Sequence, residues 1–150
     1  NMESNYPNVE VSYEFVDAVA MRLIQWPSEY DVLVTSNLFG DILTDEASVI
    51  SGSMGLMPSA SIGSNNALYE PIHGSYPEAA GKNIANPLGS ILSLAMMFEH
   101  SFSLEEESKI IKKAVDNSLK EKVTTKDISG NNKPHTTTDV GNFISDYINS

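Results

Sequence analysis

Residues 32–48 limit the possible folds of this chain more than any other segment. The apolar run Val32-Leu33-Val34 predicts a buried strand, and the polar pair Ser36-Asn37 that follows predicts a turn. From Phe39 to Ile50 the apolar residues recur at helical spacing, which predicts a helix. The segment is therefore expected to lead from a strand, through a turn, directly into a helix.

Asp41 and Asp45 lie four residues apart on this predicted helix, so they share one face. Two like charges at that spacing repel each other by a few tenths of a kcal/mol, and a divalent cation would offset the repulsion. Hard cations such as Mg²⁺ prefer carboxylate oxygens. The spacing is also common among solvated surface acids, so spacing alone leaves both interpretations open.

Composition excludes several functional classes. The chain has 150 residues, enough for one ordinary core, and no apolar run approaches the roughly 20 residues of a membrane span. It has no cysteine, so a metal site would use Asp, Glu or His. The net charge of −11 and the absence of a basic stripe argue against nucleic acid as a partner. The polar start lacks the basic region of a signal peptide, so we expect a cytoplasmic protein without a membrane partner.

A helix is predicted from Glu14 to the proline at 27, after a short strand at residues 9–13. Its apolar residues cover nearly the whole circumference, which indicates packing against more than one partner, and a subunit interface is one explanation. Asp17 lies within this helix. It is either an exposed polar position or a third carboxylate for the site of Asp41 and Asp45.

A domain boundary is predicted near residue 51, where a glycine-rich joint begins and charged residues become rare. Short strands are expected at residues 59–63 and 67–70. Further helices are expected at Leu88–His100, after Ser103, and at Val140–Ile148. Ser103 with Glu106 predicts a capping box, and Thr138-Asp139 predicts the start of the last helix. Residues 124–128 are expected to be a connector.

A long irregular loop is predicted from Glu70 to Pro87, because its prolines and glycines prevent regular structure. Its His73, Glu78 and Asn86 can form directional hydrogen bonds, and the small Gly74-Ser75 would let the backbone approach a flat ligand closely. Such loops are usually functional or disordered. His73 taken alone could equally be a structural histidine.

Six motifs carry a family resemblance, and they occur in order along nearly the whole chain: Val16–Ala18, Asn37–Ser48, Gly52–Ser61, Tyr69–Ser75, Gly81–Pro87 and Ile91–Met97. Together they resemble the NAD-dependent β-decarboxylating dehydrogenases, the isocitrate/isopropylmalate dehydrogenase family. Within it they look most like the branch that oxidises and decarboxylates 3-isopropylmalate to 2-oxoisocaproate in leucine biosynthesis. The resemblance implies an α/β fold of two domains.

The resemblance assigns the three acids to a metal site. Asp17, Asp41 and Asp45 match the carboxylates that hold Mg²⁺ or Mn²⁺ in the family. There the metal binds the substrate, polarises its hydroxyl for hydride transfer to NAD⁺ and stabilises the product of decarboxylation. In the family homodimer the carboxylate matching Asp17 reaches the metal and substrate of the neighbouring subunit's site.

The resemblance also assigns the loop to NAD. The matching positions are His73, Gly74, Ser75, Glu78, Ala79 and Asn86. His73 and Asn86 would lie at the adenine, and Glu78 would accept the adenosine ribose hydroxyls. The family usually has Asp where this chain has Glu78. Either acid favours NAD over NADP, because a 2′-phosphate would meet a negative charge.

The resemblance also implies what this chain lacks. In the family the catalytic Lys and Tyr and the substrate-binding Arg residues precede the segment matched here, so no catalytic residue is assigned. We expect a C-terminal fragment, inactive alone, in which residues 1–51 end the dimer-interface domain and residues 52–150 belong to the NAD-binding domain. Isocitrate, homoisocitrate and tartrate remain alternative substrates. A non-catalytic, dimerising, metal-binding module is the alternative of a different class.

Overall fold

The computed structural model describes residues 5–150, so the start of the chain, residues 1–4, lies outside the described residues. Regular structure follows in this order: α1 (Val16–Gln25), α2 (Asn37–Ser51), β1 (Pro58–Ile62), β2 (Ala67–Pro71), α3 (Leu88–Phe102), α4 (Glu105–Lys120) and α5 (Thr137–Ile148). Short 3₁₀ turns lie at Pro27–Glu29, Met54–Leu56 and Pro77–Ala79. Every helix in the described part falls short of what crossing a membrane requires.

The chain divides into two compact units, an amino-terminal unit that ends at Ala47 and a carboxy-terminal unit, Ser48–Ser150. The division falls within α2, a few residues before the boundary expected near residue 51. The assignment of the two parts to an interface domain and an NAD-binding domain stays a prediction.

In the amino-terminal unit, α1 and α2 confirm the two predicted helices, but the predicted strands are wrong. Residues 9–13 and 32–34 form no strand, and Val34 is 90% exposed. An apolar run becomes a strand only where a neighbouring strand accepts its backbone hydrogen bonds, and none of the described residues supplies one here. The run predicted to be buried therefore lies on the surface.

The carboxy-terminal unit contains a β-hairpin covered by helices. β1 and β2 pair antiparallel, from Pro58 opposite Pro71 to Ile62 opposite Ala67, as the two predicted short strands required. α3 packs against both strands, α4 packs against α3, and α5 packs against α4. The buried core where these helices meet consists of Leu88, Ala114, Val115, Val140 and Ile144.

The predicted helix starts need two corrections. Ser103 does not cap α4: it ends α3 in the left-handed conformation, with φ of 55°, and Leu104 is the residue before α4. An N-cap needs extended backbone, whereas a left-handed residue is typical of a helix end. The last helix begins earlier than expected, because Thr136 forms the capping box with Asp139. These two hydrogen bonds lower the pKa of Asp139.

Candidate functional site

A cavity of about 890 Å³ opens in the carboxy-terminal unit, within the size range of small-molecule sites. Three segments form it: the turn after α2, the loop between β2 and α3, and the connector before α5. Its lining residues are Ser53, Met54, Gly55, His73, Gly74, Ser75, Tyr76, Ala79, Ala80, Ile84, Ala85, Asn86, Lys126 and Asp127.

Most of the loop positions assigned to NAD lie together around this cavity. His73, Gly74, Ser75, Ala79 and Asn86 line it. Glu78 does not, and its side chain is exposed outside the lining. The structure thus gathers five of the assigned positions around one cavity. Their role in binding NAD stays a prediction.

The start of α5 fixes the far end of the loop. Asn83 has a left-handed φ of 56°, a conformation that Asn tolerates better than most residues. Its side-chain oxygen accepts hydrogen bonds from the backbone N–H and the hydroxyl of Thr138, both at 3.0 Å. The Thr137 hydroxyl donates to the Ala85 carbonyl at 2.6 Å. The first turn of α5 therefore holds this part of the cavity wall.

Asp127, in the connector before α5, is hydrogen-bonded to the other two segments that form the cavity. One carboxylate oxygen accepts from the Ser53 hydroxyl at 2.5 Å and from the Asn86 amide at 2.9 Å, and the other accepts from the Thr125 hydroxyl at 2.6 Å. Partial burial alone would raise the pKa of Asp127. The three hydrogen bonds outweigh that effect and hold the pKa below its usual range, because they stabilise the charged form.

Gly55 provides the space that Asn86 occupies. A Cβ at position 55 would lie 2.6 Å from the Asn86 Cβ, closer than real side chains approach. The Asn86 side-chain oxygen accepts from the backbone N–H of Leu88, the first residue of α3, at 3.0 Å. The Asn86 side chain is thus packed against a glycine and hydrogen-bonded at both ends.

His73 contributes an imidazole ring to the cavity lining. Its Nδ1 lies 3.0 Å from the carbonyl oxygen of Gly74. Since a carbonyl oxygen only accepts hydrogen bonds, Nδ1 carries a proton in this contact. In the tautomer protonated at Nδ1 alone, Nε2 keeps a lone pair that can accept a hydrogen bond from a bound ligand.

The three acids assigned to the metal are at the surface of the amino-terminal unit. Asp41 and Asp45 are exposed on α2, and Asp41 accepts from the Asn37 amide at 3.1 Å. Asp17 is exposed at the start of α1, where it accepts from the backbone N–H of Ala18. Among residues 5–150, no three Asp, Glu or His side chains are close enough to hold one ion. The assignment of these acids to a metal stays a prediction.

Sequence reasoning missed Ser53 and Asp127. Asp127 lies in a segment expected only to connect two helices, and it is separated from its partner Asn86 by 41 positions. No local periodicity marks such a residue. The only signal was its residue type, because a short Thr-x-Asp segment offers side chains that hydrogen-bond to neighbouring loops.

Comparison with known proteins defines the class. The family model described as isocitrate/isopropylmalate dehydrogenase matches residues 1–144, so the chain belongs to that family. Among its relatives, the 3-isopropylmalate dehydrogenase of Bacteroides fragilis is 56% identical over 149 residues, which are 98% of this chain and 42% of that enzyme. The 3-isopropylmalate dehydrogenase of Thermotoga maritima is 51% identical over 140 residues, which are 93% of this chain and 39% of that enzyme.

Solved structures agree with the expected α/β dehydrogenase fold. Isocitrate dehydrogenase from Methylococcus capsulatus superimposes with a TM-score of 0.94 at 37% identity, over 99% of this chain and 44% of that one. A β-decarboxylating dehydrogenase from Thermococcus kodakarensis gives 0.85 at 38% identity, over 99% and 43%. The chain thus spans about two fifths of the length of the relatives it matches.

Proposed function

We propose that this chain is part of an enzyme that oxidises and decarboxylates 3-isopropylmalate with NAD⁺, as in leucine biosynthesis. The observation that carries the proposal is the cavity, because it gathers His73, Asn86 and three further loop positions in a member of a dehydrogenase family. The substrate rests on the names of the relatives that are more than half identical to this chain. We place the enzyme in the cytoplasm, which stays a prediction.

Features of the cavity lining favour an adenosine group as the ligand. Gly74 and Ser75 offer backbone without a large side chain, and Ala79 is buried beside them. The free Nε2 of His73 can accept a hydrogen bond from an exocyclic amine. Glu78, exposed outside the lining, supplies two acceptor oxygens for ribose hydroxyls and a negative charge that disfavours the 2′-phosphate of NADP.

The acids on α2 fit a hard divalent cation. Asp41 and Asp45 present carboxylate oxygens one helical turn apart on the exposed surface, and this is the donor type that Mg²⁺ and Mn²⁺ prefer. When bound, such an ion supplies a Lewis acid for the hydroxyl and carboxylate of the substrate. The chain's own contribution is to keep the two carboxylates fixed on a helix, with the Asn37 amide orienting Asp41.

We further propose a homodimer in which Asp17 completes the site of the partner subunit. On α2, Leu38, Ile42 and Val49 lie at helical spacing and are all exposed. An apolar stripe on the same helix as the two acids is the composition expected for a face that a second copy covers. Closing the site across the interface would bring Asp17 to the ion.

The proton transfers of the reaction require acid and base groups, and no residue of this chain is assigned to that role. Its residues bind the nucleotide, hold the cation and orient the hydroxy acid, and none of them is assigned as the general base. We therefore propose that turnover belongs to a protein of the relatives' length and not to these 150 residues alone.

The proposal is tested by following the absorbance of reduced nicotinamide with 3-isopropylmalate, NAD⁺ and Mg²⁺, in the 150-residue chain and in a protein extended to the relatives' length. We expect activity only in the extended protein, and we expect EDTA to abolish it. Turnover of isocitrate, homoisocitrate or tartrate instead would correct the substrate. Dimerisation and Mg²⁺ binding without any NADH binding would favour a non-catalytic module.

A further inference from the structure

Asn86 lines the cavity but cannot offer its side chain freely to a ligand. Its amide nitrogen donates to Asp127 at 2.9 Å, and its oxygen accepts from the backbone N–H of Leu88 at 3.0 Å. Gly55 lies against its Cβ. Both polar ends of the side chain are therefore used within the protein, and the side chain holds its own backbone in place at the cavity wall.

The Asp127 carboxylate also holds the turn at Ser53, a second segment of the cavity wall. The Ser53 hydroxyl donates to Asp127 at 2.5 Å and accepts from the backbone N–H of Gly55 at 3.0 Å, which fixes the 3₁₀ turn that begins there. The Thr125 hydroxyl donates to the other oxygen of Asp127, and Thr125 itself is buried. A single ionised side chain thus joins cavity segments that are 41 and 74 residues apart in the sequence.

We infer that Asp127 is a positioning residue for the nucleotide: it fixes Asn86 and the Ser53 turn so that the cavity is formed before the ligand arrives. This inference rests on the proposed function, since it takes the cavity to be the NAD site. A cavity held in its binding conformation loses less ordering entropy on binding, so its affinity is higher. Asp127 acts through Asn86 and Ser53 and not by contact with the ligand.

The geometry predicts that two substitutions, each of which weakens binding alone, compensate each other when they are combined. Asn86→Asp would place a second carboxylate 2.9 Å from the first, and the two charges would repel each other. Adding Asp127→Asn reverses the direction of both hydrogen bonds at this atom, because the new amide at 127 can donate one hydrogen to the new carboxylate at 86 and the other to the Ser53 hydroxyl, which then accepts. The oxygen that remains at position 127 still accepts from Thr125. The double variant keeps the net charge and the side-chain sizes of the natural pair.

The experiment measures KM for NAD⁺ and for the hydroxy acid in a protein of the relatives' length. We expect Asp127→Ala and Asn86→Asp each to raise KM for NAD⁺ about tenfold, the size of one charge-assisted hydrogen bond, while KM for the hydroxy acid stays within twofold. We expect the double variant Asn86→Asp/Asp127→Asn to return to within about threefold of the natural protein. Asp146→Asn, an exposed acid on α5 outside the cavity, is the matched control and should change neither value.

Two results would overturn the inference. One is a KM for NAD⁺ that changes less than threefold in Asp127→Ala. The other is a double variant no better than Asn86→Asp alone, which would show that the two side chains do not act through each other. If Asp127→Ala fails to fold, the comparison of Asn86→Asp with the double variant still decides.

A measurement without any ligand separates this inference from the proposed function. Backbone amide exchange at Leu88 should be about tenfold faster in Asp127→Ala, because Asn86 is no longer held to accept its hydrogen. Exchange along residues 140–148 should not change. If the natural protein binds no NADH, the proposed function fails, and unchanged exchange at Leu88 in the variant would separately refute the positioning role of Asp127.

Discussion

The two units of the chain treat their apolar and charged residues in opposite ways. In the carboxy-terminal unit, Leu88, Ala114 and Val140 are fully buried, and Ser53 and Asn86 at the cavity are hydrogen-bonded to the distant Asp127. In the amino-terminal unit, Val34 is 90% exposed and few apolar residues are buried. The carboxy-terminal unit surrounds a cavity with hydrogen-bonded side chains, whereas the amino-terminal unit exposes Asp17, Asp41 and many of its apolar residues.

In the proposed dimer, this difference in exposure between the units places the shared metal site at the surface of the amino-terminal unit. In the amino-terminal unit the Arg22 guanidinium pairs with Glu14 at 3.0 Å and Glu29 at 2.8 Å and lies over the Tyr30 ring. Hydrogen bonding to Glu29 and the charge of Glu14 raise the pKa of Arg22. Exposed ion pairs stabilise a fold weakly, so this cluster contributes little to the stability of the unit.

The largest effect should come from the acids of the amino-terminal unit that are proposed to bind the metal. We expect Asp41→Asn, in a protein of the relatives' length, to lower Mg²⁺-dependent turnover at least about 1,000-fold, since a bound cation contributes several kcal/mol to the transition state. Glu46→Gln, an acid on the same helix, is the control. Unchanged turnover and Mg²⁺ dependence in Asp41→Asn would show that the metal assignment is wrong.

The next effect should come from the apolar stripe on α2. Leu38 is 65% exposed, and we expect Leu38→Asp to weaken dimerisation about 100-fold, because two buried leucines are lost and two charges are placed in the interface. Light scattering after size-exclusion chromatography measures the dimer. Ile110→Asp on α4, where the isoleucine is 45% exposed, should leave the dimer intact. Equal behaviour of the two variants would remove the distinction between the units.

Substitutions at two glycines test the packing of the carboxy-terminal unit. We expect Gly55→Ala to lower the free energy of unfolding by about 1–3 kcal/mol, because its Cβ would overlap Asn86. Gly141→Ala, within α5 and with no atom near the new Cβ, should instead raise it by about 0.5–1 kcal/mol. Urea unfolding measures both. A stabilising Gly55→Ala would mean that the wall between Gly55 and Asn86 is loose.

The smallest effect is a pH dependence. The pKa of Asp127 is lower in the folded than in the unfolded chain, so its stabilisation is present above pH about 4 and is lost as the pH falls through the folded-state pKa. The difference in urea midpoint between the natural protein and Asp127→Asn should therefore be constant from pH 7 to about 5 and shrink below about 4. A difference that stays constant down to pH 3 would contradict the lowered pKa.

Sequence patterns predicted the carboxy-terminal unit better than the amino-terminal one. The hairpin and the helix from Leu88 follow from local patterns and are confirmed. The strand expected at residues 32–34 failed because a strand depends on a neighbour, which apolar character alone does not provide.

The cavity was predictable only in part. The loop residues His73 to Asn86 could be found because their motifs are contiguous in the sequence. Asp127 and Ser53 could not be found, because their importance comes from hydrogen bonds across 74 positions that only the folded chain brings together. Ser103 and Thr138 show a smaller limit, since several adjacent polar residues could each cap a helix and the backbone conformation decides among them.

The central claim is that the amino-terminal unit forms its metal site with a second copy of the chain. Subunit complementation tests this claim most directly. Asp17→Asn and Asp41→Asn are prepared as two inactive proteins of the relatives' length, then mixed, dissociated and reassociated. If Asp17 serves the partner's site, each mixed dimer regains one intact site, and activity should recover to about a quarter of the natural protein's. No recovery, with mixed dimers demonstrably formed, would contradict the shared site.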